Sequence, residues 1–397
     1  MERPELTTLI QSTLGPERLV RRGEELFLID PAWGASEHAQ AERWWSATSG
    51  RAGSDRDEHR AADDLGWLMI PSGGTSGKLK FARHDHLTIA AAVAGFCQHF
   101  GVEHISSVGV LPLHHVSGLM AWMRTVHTGG AYLPWNWKDL EAGNRPTRPP
   151  AVPFWTISLV PTQLQRLLNS PEATAWLREF DAVFIGGGPS WPALLDAAAA
   201  ADLPLSLGYG MTETAAMAAA LLPAEFRAGE RSSGAVLPHL RMELTAKGTV
   251  EITGESVFRG YFPEWNDSRS FITEDLANFD FAGRVRVLGR RDAVIITGGK
   301  KVDPLEVETV LRTAGLFTDV AILGVADPEW GQRVTAFFPA SESAPDPFAL
   351  EKALSDLAPY KRPRRYVAVA DWPRNEQGKV NRQRLIEVAR VVPNALG

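Results

Sequence analysis

Short β-rich runs alternate with Ala- and Leu-rich helical stretches between residues 67 and 260, and this alternation constrains the fold more than any other feature. The strand-like runs include 68–70, 107–111 and 182–185, and the helical stretches include 87–96, 162–168 and 192–201. Such alternation predicts βα units on a largely parallel sheet. Ligands bind at the carboxyl ends of the strands in these sheets, so we expect functional residues to follow the strands.

The chain changes character towards its end. Residues 249–288 contain short strand-like runs without long helices, and a compact unit of strands and helices follows Gly289-Arg290-Arg291-Asp292. We therefore predict an α/β protein with two domains. The large N-terminal domain comprises residues 1–291, and a small α+β C-terminal domain comprises residues 292–397.

Composition and charge exclude several classes of protein. With 44% apolar and 22% charged residues, the 397-residue chain is neither disordered nor fibrous. Cys97 is the only cysteine, which excludes an intrachain disulfide and a thiolate-rich metal site. The net charge of −6 gives no reason to expect a nucleic-acid partner. The sequence shows no signal-peptide pattern and no apolar stretch of membrane-spanning length, so we expect a cytoplasmic protein without a membrane partner.

The first motif is Ser-Gly-Gly-Thr-Ser-Gly-Lys-Leu-Lys at residues 72–80, between a predicted strand and a predicted helix. Its glycines allow successive backbone N–H groups to face one concavity, and its hydroxyl and lysine side chains add donors and charge. The segment therefore suits a polyphosphate. It is not a Walker A loop, because Leu79 stands where a Mg²⁺-binding Ser or Thr would follow the lysine. A glycine-rich structural turn is the alternative.

Two further motifs follow predicted strands. The first is Phe-Ile-Gly-Gly-Gly-Pro at 184–189. Trp191 stands where a dinucleotide-binding fingerprint requires glycine, so that kind of site is excluded. The glycines then indicate either a backbone that approaches a flat ligand closely or a tight turn. In Gly-Tyr-Gly-Met-Thr-Glu-Thr at 208–214, Tyr209 can stack on a base, Thr212 can reach phosphate and Glu213 can hold Mg²⁺. A helix N-terminus would explain Thr212 and Glu213 equally well.

The last motifs are Gly-Arg-Arg-Asp at 289–292, Gly-Gly-Lys at 298–300 and Asn-Glu-Gln-Gly-Lys-Val at 375–380. A lysine in a glycine-containing turn is usually a solvated surface residue, so neither lysine motif indicates a site by itself. Their order and separation behind the three earlier motifs give them weight.

From about residue 67 to the end, the motifs together resemble the adenylate-forming enzymes, which include acyl-CoA synthetases, peptide-synthetase adenylation domains and luciferases. The segment Leu-Pro-Leu-His-His-Val-Ser-Gly-Leu at 111–119 and Arg124, nine residues after His115, resemble the 2-succinylbenzoate–CoA ligases of menaquinone and phylloquinone synthesis. Three features depart from the family pattern. The first motif has Gly73 where a hydroxyl residue is common and Leu79 where proline is common. About 70 residues precede the first motif, fewer than in most members, and Glu274 replaces a glycine in the element at 271–275.

The resemblance implies a large α/β domain with a mobile C-terminal domain, and ATP-dependent ligation of an acid to coenzyme A. The acid would be 2-succinylbenzoate, the intermediate an acyl-adenylate, and the released products AMP and pyrophosphate, with Mg²⁺ required. For ATP binding, the resemblance implies Ser72, Thr75, Ser76, Gly77 and Lys80 at the β- and γ-phosphates, Gly187, Gly188 and Tyr209 around adenine, and Asp275 and Arg290 at the ribose.

The resemblance also assigns catalytic and mobile parts. Thr212 would contact the α-phosphate, Glu213 would hold Mg²⁺, and Lys379 would bridge the attacking carboxylate and the α-phosphate. Coenzyme A would be bound through Gly298, Gly299 and Lys300. The C-terminal domain would rotate about a hinge at Asp292 between the two half-reactions.

For the acyl substrate we expect Arg124 to pair with the aromatic carboxylate and His115 to line the site. Nine residues of helix turn a side chain by about 180° relative to the first, so both can face one ligand only if the helix starts after His115. A packed or gating imidazole is the alternative for His115. A CoA ligase for another aryl or aliphatic acid, or an adenylation protein that loads a carrier protein, is the alternative function. Small molecules are the expected partners. The sequence does not fix the oligomeric state, for which a homodimer is one alternative.

Overall fold

Four β-sheets, used one after another along the chain, organise the structure. The structure is a computed structural model, and it describes residues 1–48, 66–73, 79–374 and 380–389. Within these ranges, no helix combines the length and the apolar character needed to cross a lipid bilayer.

The first sheet has the order β1-β2-β3-β4 and holds the first predicted motif. β3 and β4 pair antiparallel with Gly73 opposite Leu79, so the glycine-rich segment joins two neighbouring strands. The predicted helix begins only after β4, where Asp85 caps α3. The elements are α1 (Arg3–Leu14), β1 (Leu19–Arg22), β2 (Glu25–Leu28), α2 (Ala35–Thr48), β3 (Leu68–Gly73), β4 (Leu79–His84) and α3 (His86–Phe100).

The central sheet confirms the predicted parallel βα units. Its order is β11-β10-β9-β8-β7-β5-β6, and the five strands from β6 to β9 are parallel, while β10 and β11 add an antiparallel edge. Its elements are β5 (Ser106–Gly109), α4 (Val116–Thr128), β6 (Tyr132–Pro134), α5 (Trp137–Glu141), β7 (Trp155–Leu159), α6 (Pro161–Leu168), α7 (Pro171–Leu177), β8 (Ala182–Ile185), α8 (Pro192–Ala200), β9 (Leu205–Met211), β10 (Ala216–Ala220), α9 (Pro223–Arg227) and β11 (Ala235–Val236).

Helices cover this sheet and bury its apolar side chains. One hydrophobic cluster joins the strands to α6, α7 and α8, and includes Trp155, Leu164 and Leu205, all essentially inaccessible to solvent. Buried strands of this kind fix the positions of the loops at their carboxyl ends, which carry the second and third motifs.

The third sheet is antiparallel and lacks helices, as the change in the sequence after residue 249 predicts. Its order is β12-β13-β14-β15, and a single 3₁₀ turn at Arg291–Ala293 follows it. The strands are β12 (Leu240–Leu244), β13 (Thr249–Gly254), β14 (Ser270–Phe279) and β15 (Val285–Arg290).

The remainder of the described chain builds a separate sheet with its own core. β16, β17, β18 and β19 pair antiparallel, β20 pairs parallel with β19, and Val307, Leu311 and Phe338 are buried between sheet and helices. Arg312 of this unit lies over the Trp191 ring, 5.1 Å from its centroid. The elements are β16 (Ile295–Thr297), β17 (Lys300–Val302), α10 (Pro304–Thr313), β18 (Ala321–Asp327), β19 (Gly331–Pro339), α11 (Pro347–Ala353), β20 (Arg365–Val369) and α12 (Arg382–Ala389).

Candidate active site

Glu213 gathers side chains from three distant segments. It lies in the 3₁₀ turn Thr212–Thr214 that ends β9, and only 6% of its surface is exposed. Its Oε1 accepts hydrogen bonds from Ser72 Oγ at 2.8 Å and from Tyr261 Oη at 2.6 Å. Lys80 Nζ lies 4.6 Å from the centroid of the Tyr261 ring. The structure thus brings the predicted residues Ser72, Lys80 and Glu213 into one group, which we call the Glu213 cluster.

Electrostatics keep Tyr261 a donor in this cluster. Burial and the neighbouring Glu213 carboxylate both raise the pKa of Tyr261, because each disfavours the phenolate. A protonated phenol can donate only one hydrogen bond, and here it donates to Glu213. The carboxylate is therefore held in one orientation through its Oε1 atom.

A second group forms around Asp275, and we call it the Asp275 cluster. The β14–β15 register places Asp275 opposite Arg290. Tyr209 Oη donates to Asp275 Oδ2 at 2.7 Å, and Arg290 Nη1 donates to Oδ1 at 3.3 Å. Arg290 also donates to both carboxylate oxygens of Asp292, each at 2.8 Å. Burial and Asp275 raise the pKa of Tyr209, so its hydroxyl stays protonated.

The glycine-rich segment after β8 leaves the backbone exposed at the carboxyl edge of the central sheet. Gly187 has φ +76°, a left-handed conformation that side chains disfavour, whereas an added Cβ at Gly188 would meet no atom within 4 Å. Conformation therefore requires glycine at 187, and nothing within the described structure fills the space beside 188.

Arg124 is buried on α4. Only 5% of the residue is exposed, its guanidinium lies 4.1 Å above the Phe96 ring, and its Nε has no hydrogen-bond partner among the described residues. Burial lowers the pKa of Arg124 to about 10. His239 is close enough that burial and Arg124 together lower its pKa to about 4. An added Cβ at Gly95 would overlap the His239 ring, so glycine is needed there for close packing.

Among the described residues, Arg124 has no acidic partner. Within that part of the chain the Cys97 thiol is the titratable neighbour that affects the pKa of Arg124, and no carboxylate does. A buried guanidinium without an anion is costly, and an incoming carboxylate would satisfy it with charge-assisted hydrogen bonds.

His115 meets the geometric condition set by the sequence but lies in a different environment. It is the N-cap residue of α4, so the helix starts after it. Its Nε2 lies 3.7 Å from Asp30 Oδ2, and His114 Nε2 lies 3.4 Å from Asp30 Oδ1. The rise from His115 to Arg124 along the helix is about 13 Å. His115 and Arg124 therefore lie at different levels of α4, and the structure places them in different surroundings.

The predicted CoA residues lie in the C-terminal unit. Gly298 and Gly299 form the tight turn between β16 and β17 with φ +54° and +75°. Lys300 Nζ lies 4.6 Å from the Tyr360 ring centroid. The structure thus places Lys300 against its own unit and not in the Glu213 or Asp275 cluster. Four predicted residues, Thr75, Ser76, Gly77 and Lys379, lie outside the described residues.

Sequence reasoning missed residues that support the site. The fully buried His84 contacts the Thr212 carbonyl oxygen through Nε2 at 2.8 Å and Thr88 Oγ1 through Nδ1 at 3.0 Å, and burial lowers its pKa. Arg259 Nε donates to Asp85 Oδ2 at 2.8 Å, with both residues buried. The β4–α3 junction reads Arg-His-Asp-His at residues 83–86, so the sequence carries no signal that His84 and Asp85 are buried.

Comparison with known proteins places these clusters in context. A model of the AMP-binding enzyme family matches residues 13–262, and one of the AMP-binding enzyme C-terminal domain matches residues 306–379. A probable 2-succinylbenzoate–CoA ligase of Mycobacterium tuberculosis is 32% identical over 353 residues, covering 82% of this chain and 85% of the relative. A 2-succinylbenzoate–CoA ligase of Listeria innocua is 29% identical over 333 residues, covering 80% and 69%.

Solved structures give the same picture. The o-succinylbenzoate CoA synthetase of Bacillus subtilis, in complex with its acyl-adenylate intermediate, aligns with a TM-score of 0.68 at 26% identity, covering 81% of this chain and 69% of that one. ATP-bound MatB of Rhodopseudomonas palustris aligns with a TM-score of 0.68 at 26% identity, covering 87% and 72%.

Proposed function

Because the chain belongs to the AMP-binding enzyme family, we propose that it joins 2-succinylbenzoate to coenzyme A through an acyl-adenylate formed from ATP. The observation that carries this proposal is the Glu213 cluster, in which the first and third motifs meet although 141 residues separate Ser72 from Glu213. The names of the relatives from Mycobacterium tuberculosis and Listeria innocua, and the adenylate complex of the Bacillus subtilis enzyme, support the choice of acid.

The chemistry explains why ATP is needed. A carboxylate cannot acylate a thiol at neutral pH, because its leaving group would be oxide. A carboxylate oxygen instead attacks the α-phosphorus of ATP, the bond to the β-phosphate oxygen breaks, and pyrophosphate leaves. The thiolate of coenzyme A then attacks the acyl carbon, and AMP leaves with the bonding electrons. Both steps gather negative charge, so oriented donors and cations supply most of the catalysis.

We assign the nucleotide to the two clusters. Asp275 and Arg290 would bind the ribose hydroxyls, and Tyr209, Gly187 and Gly188 would frame adenine. Tyr209 Oη is already bonded to Asp275, so the ring and the carboxylate are held together before a ligand arrives. A site that is ordered in advance loses less entropy on binding.

The phosphates and their cation belong to the Glu213 cluster in this proposal. Mg²⁺ prefers oxygen ligands and usually combines one or two carboxylates with phosphate oxygens, and the oriented Glu213 carboxylate fits that preference. Bound there, the cation would neutralise charge on the phosphates. Ser72, Lys80 and the residues Thr75, Ser76 and Gly77 would hold the β- and γ-phosphates, and Thr212 the α-phosphate.

The two half-reactions would use different orientations of the C-terminal domain. We propose a boundary between residues 291 and 292, with Asp292 as the hinge. One orientation of the C-terminal domain would place Lys379 between the carboxylate and the α-phosphate. The other would bring Gly298, Gly299 and Lys300 to coenzyme A. Elements that bind one reactant would obstruct the other step, so a switch of this kind is physically reasonable.

The aromatic carboxylate of the acid would pair with Arg124. The guanidinium is buried and lies on an aromatic face, and no described residue places an anion beside it, so a ligand carboxylate would supply its missing hydrogen-bond partner. His115 would line a different part of the acyl site, because the helix rise separates it from Arg124.

The proposal is tested by measuring pyrophosphate release and acyl-CoA formation with 2-succinylbenzoate and with an analogue that lacks the ring carboxylate. Arg124→Met keeps much of the stem volume but removes the charge. We expect kcat/KM for 2-succinylbenzoate to fall by about 30- to 5,000-fold, which corresponds to about 2 to 5 kcal/mol of transition-state free energy, the range for truncating one member of a buried charge pair. The analogue should be used almost equally by both proteins.

The control is Arg166→Met, which removes an exposed arginine paired with Glu141. This variant should use each of the two acids with the same kcat/KM as the wild type. The kcat/KM values of the wild type and of Arg124→Met, each with the two acids, form a double-mutant cycle. A coupling energy near zero in this cycle would mean that Arg124 does not bind the ring carboxylate. If the wild type prefers the analogue, or transfers the acyl group only to a carrier protein, the substrate assignment is wrong while the family remains.

A further inference from the structure

Asp30, His114 and His115 form a group, the Asp30 cluster, of which the proposed reaction uses only His115, as a residue that lines the acyl site. One potential ligand atom from each residue lies within 4.8 Å of the other two. We propose that the Asp30 cluster binds a divalent transition metal of the zinc class, at a site separate from the Mg²⁺ position proposed at Glu213. This proposal does not depend on the identity of the acid.

The two histidines contact Asp30 at distances longer than those of a strong hydrogen bond. His114 Nε2 and His115 Nε2 lie 3.4 Å and 3.7 Å from the two oxygens of Asp30. Good N–H···O hydrogen bonds measure about 2.7 to 3.2 Å. Ligand atoms bonded at about 2.0 to 2.1 Å to one tetrahedral zinc ion lie roughly 3.4 Å from each other. The three ligand atoms lie within 4.8 Å of one another, so a small ion between the side chains would draw them together by roughly 1 Å.

The surrounding structure holds the ligands in place. Asp30 Oδ1 accepts a hydrogen bond from the Ala32 N–H at 2.8 Å, which orients the carboxylate. The His115 N–H donates to the Pro112 carbonyl at 3.1 Å, and its own carbonyl accepts from Leu119 in the first turn of α4. Such supporting bonds strengthen metal affinity, because the ligands need not be ordered on binding.

The donor set and its burial define the class of metal. His114 is inaccessible to solvent and Asp30 nearly so, while His115 is partly exposed. Two imidazole nitrogens and a carboxylate suit Zn²⁺, Co²⁺ or Ni²⁺, whereas Mg²⁺ and Ca²⁺ prefer oxygen alone. Three protein ligands leave a coordination position for water on the partly exposed side of His115.

The metal would join two parts of the large domain. Asp30 lies two residues beyond β2, and the two histidines lie immediately before α4. A bound ion would therefore fasten the first sheet to the helix that carries Arg124. Because the ligands are far apart in sequence, binding should stabilise the folded chain.

The first test uses the full chain after treatment with a chelator and dialysis. Zinc sulfate is added, unbound metal is removed, and bound zinc is counted by elemental analysis. We expect one Zn²⁺ per chain that excess Mg²⁺ does not displace, and a higher thermal midpoint with zinc than without. Co²⁺ in place of zinc should give the visible absorption of a low-coordinate nitrogen and oxygen site.

Variants locate the ion. Asp30→Asn keeps an acceptor for the Ala32 N–H but loses the charge, and His114→Gln and His115→Gln each remove one imidazole. Each should weaken zinc binding by about 100-fold or more, since even supporting residues cost 10- to 100-fold. His104→Ala is the control, because it removes an exposed histidine outside the cluster, and it should bind zinc as the wild type does.

Folding is checked for each variant by circular dichroism. If the buried His114→Gln does not fold, the partly exposed His115→Gln and the Co²⁺ spectrum of the wild type decide. The proposal is overturned if the folded wild type retains no zinc, if the folded variants retain it as the wild type does, or if His104→Ala removes it.

Discussion

Tyr261 is the residue whose contribution can be isolated most cleanly. Its hydroxyl donates to Glu213 at 2.6 Å, while its ring contacts Lys80. Tyr261→Phe removes the hydroxyl and keeps the ring. A hydrogen bond to a charged group is worth about 1.5 to 3 kcal/mol, so kcat/KM for ATP in pyrophosphate release should fall roughly 10- to 150-fold.

Tyr132→Phe is the matched control for this experiment. Tyr132 is also a largely buried tyrosine, and burial raises its pKa to about 12, but it lies on β6 at the far edge of the central sheet. Its variant should use ATP as the wild type does. An unchanged kcat/KM for ATP in Tyr261→Phe would show that the bond to Glu213 does not matter for nucleotide binding.

At the residue scale, the sequence predicts side chains inside motifs better than their partners. Local motifs predict Ser72 and Glu213 and the family resemblance predicts Asp275, and the structure places all three in the two clusters. Tyr261 was not, because its partner Glu213 lies 48 residues away and nothing in its neighbourhood signals the contact. Asp30 was missed for the same reason, although His115 was singled out.

At the scale of elements, the start of α3 depends on a buried ion pair. Asp85 caps the helix by accepting from the N–H groups of Leu87 and Thr88, and its other oxygen accepts from Arg259. Arg259→Met leaves that carboxylate buried without its cation. We expect a loss of about 3 to 5 kcal/mol in the free energy of unfolding at pH 7, measured in urea.

The pH dependence tests the cause. Burial acts to raise the pKa of Asp85, but the bonds and charge of Arg259 outweigh it, so the pKa in the folded chain is below the ordinary value. The stabilisation is thus present above about pH 4 and is lost as pH falls through the lower folded pKa. The difference between wild type and variant should shrink in acid. Arg241→Met, which removes one member of an exposed ion pair, should show no such pH dependence. If the loss of stability in Arg259→Met is the same at every pH, the ion pair with Asp85 is not its cause.

Periodicity predicts most elements but not the strand β4. The predicted helix 192–201 is observed at Pro192–Ala200, and the helix 87–96 at His86–Phe100. Residues 79–84 were assigned no strand, although Leu79 and Phe81 are buried and Lys80 is exposed. The glycines and lysines of the motif favour a loop in the sequence. In the structure, pairing with β3 stabilises an extended segment that is too short to show a clear period.

At the scale of the whole molecule, the junction at Asp292 is the part most open to test. Asp292 lies in a 3₁₀ turn and accepts two hydrogen bonds from Arg290. Asp292→Pro fixes φ and also restricts Arg291. We expect it to leave one half-reaction largely intact and to suppress the other, measured as pyrophosphate release and as thioester formation from supplied acyl-adenylate.

Asp292→Ala is the control, because it removes the pair with Arg290 without fixing the backbone. It should retain both half-reactions more nearly equally than Asp292→Pro does. If both rates are unchanged in Asp292→Pro, the residue is not a hinge.

The order of strands within the sheets could not be predicted at this scale. Alternation along the chain implied parallel pairing, which the central sheet confirms. It did not indicate that β7 would lie between β5 and β8, or that β10 and β11 would extend the sheet antiparallel. Those choices depend on packing between segments that are distant in sequence, which local patterns do not record.

The contact of Arg312 with the Trp191 ring has a consequence for populations. A cation over an aromatic face contributes about 0.5 to 2 kcal/mol. By itself such a contact favours one arrangement of the C-terminal unit over another by roughly 2- to 30-fold. A ligand whose affinity for the second arrangement exceeds its affinity for the first by slightly more than this factor would make the second arrangement the major species. The chain would then distribute between arrangements according to the nucleotide and thiol present, with neither arrangement locked.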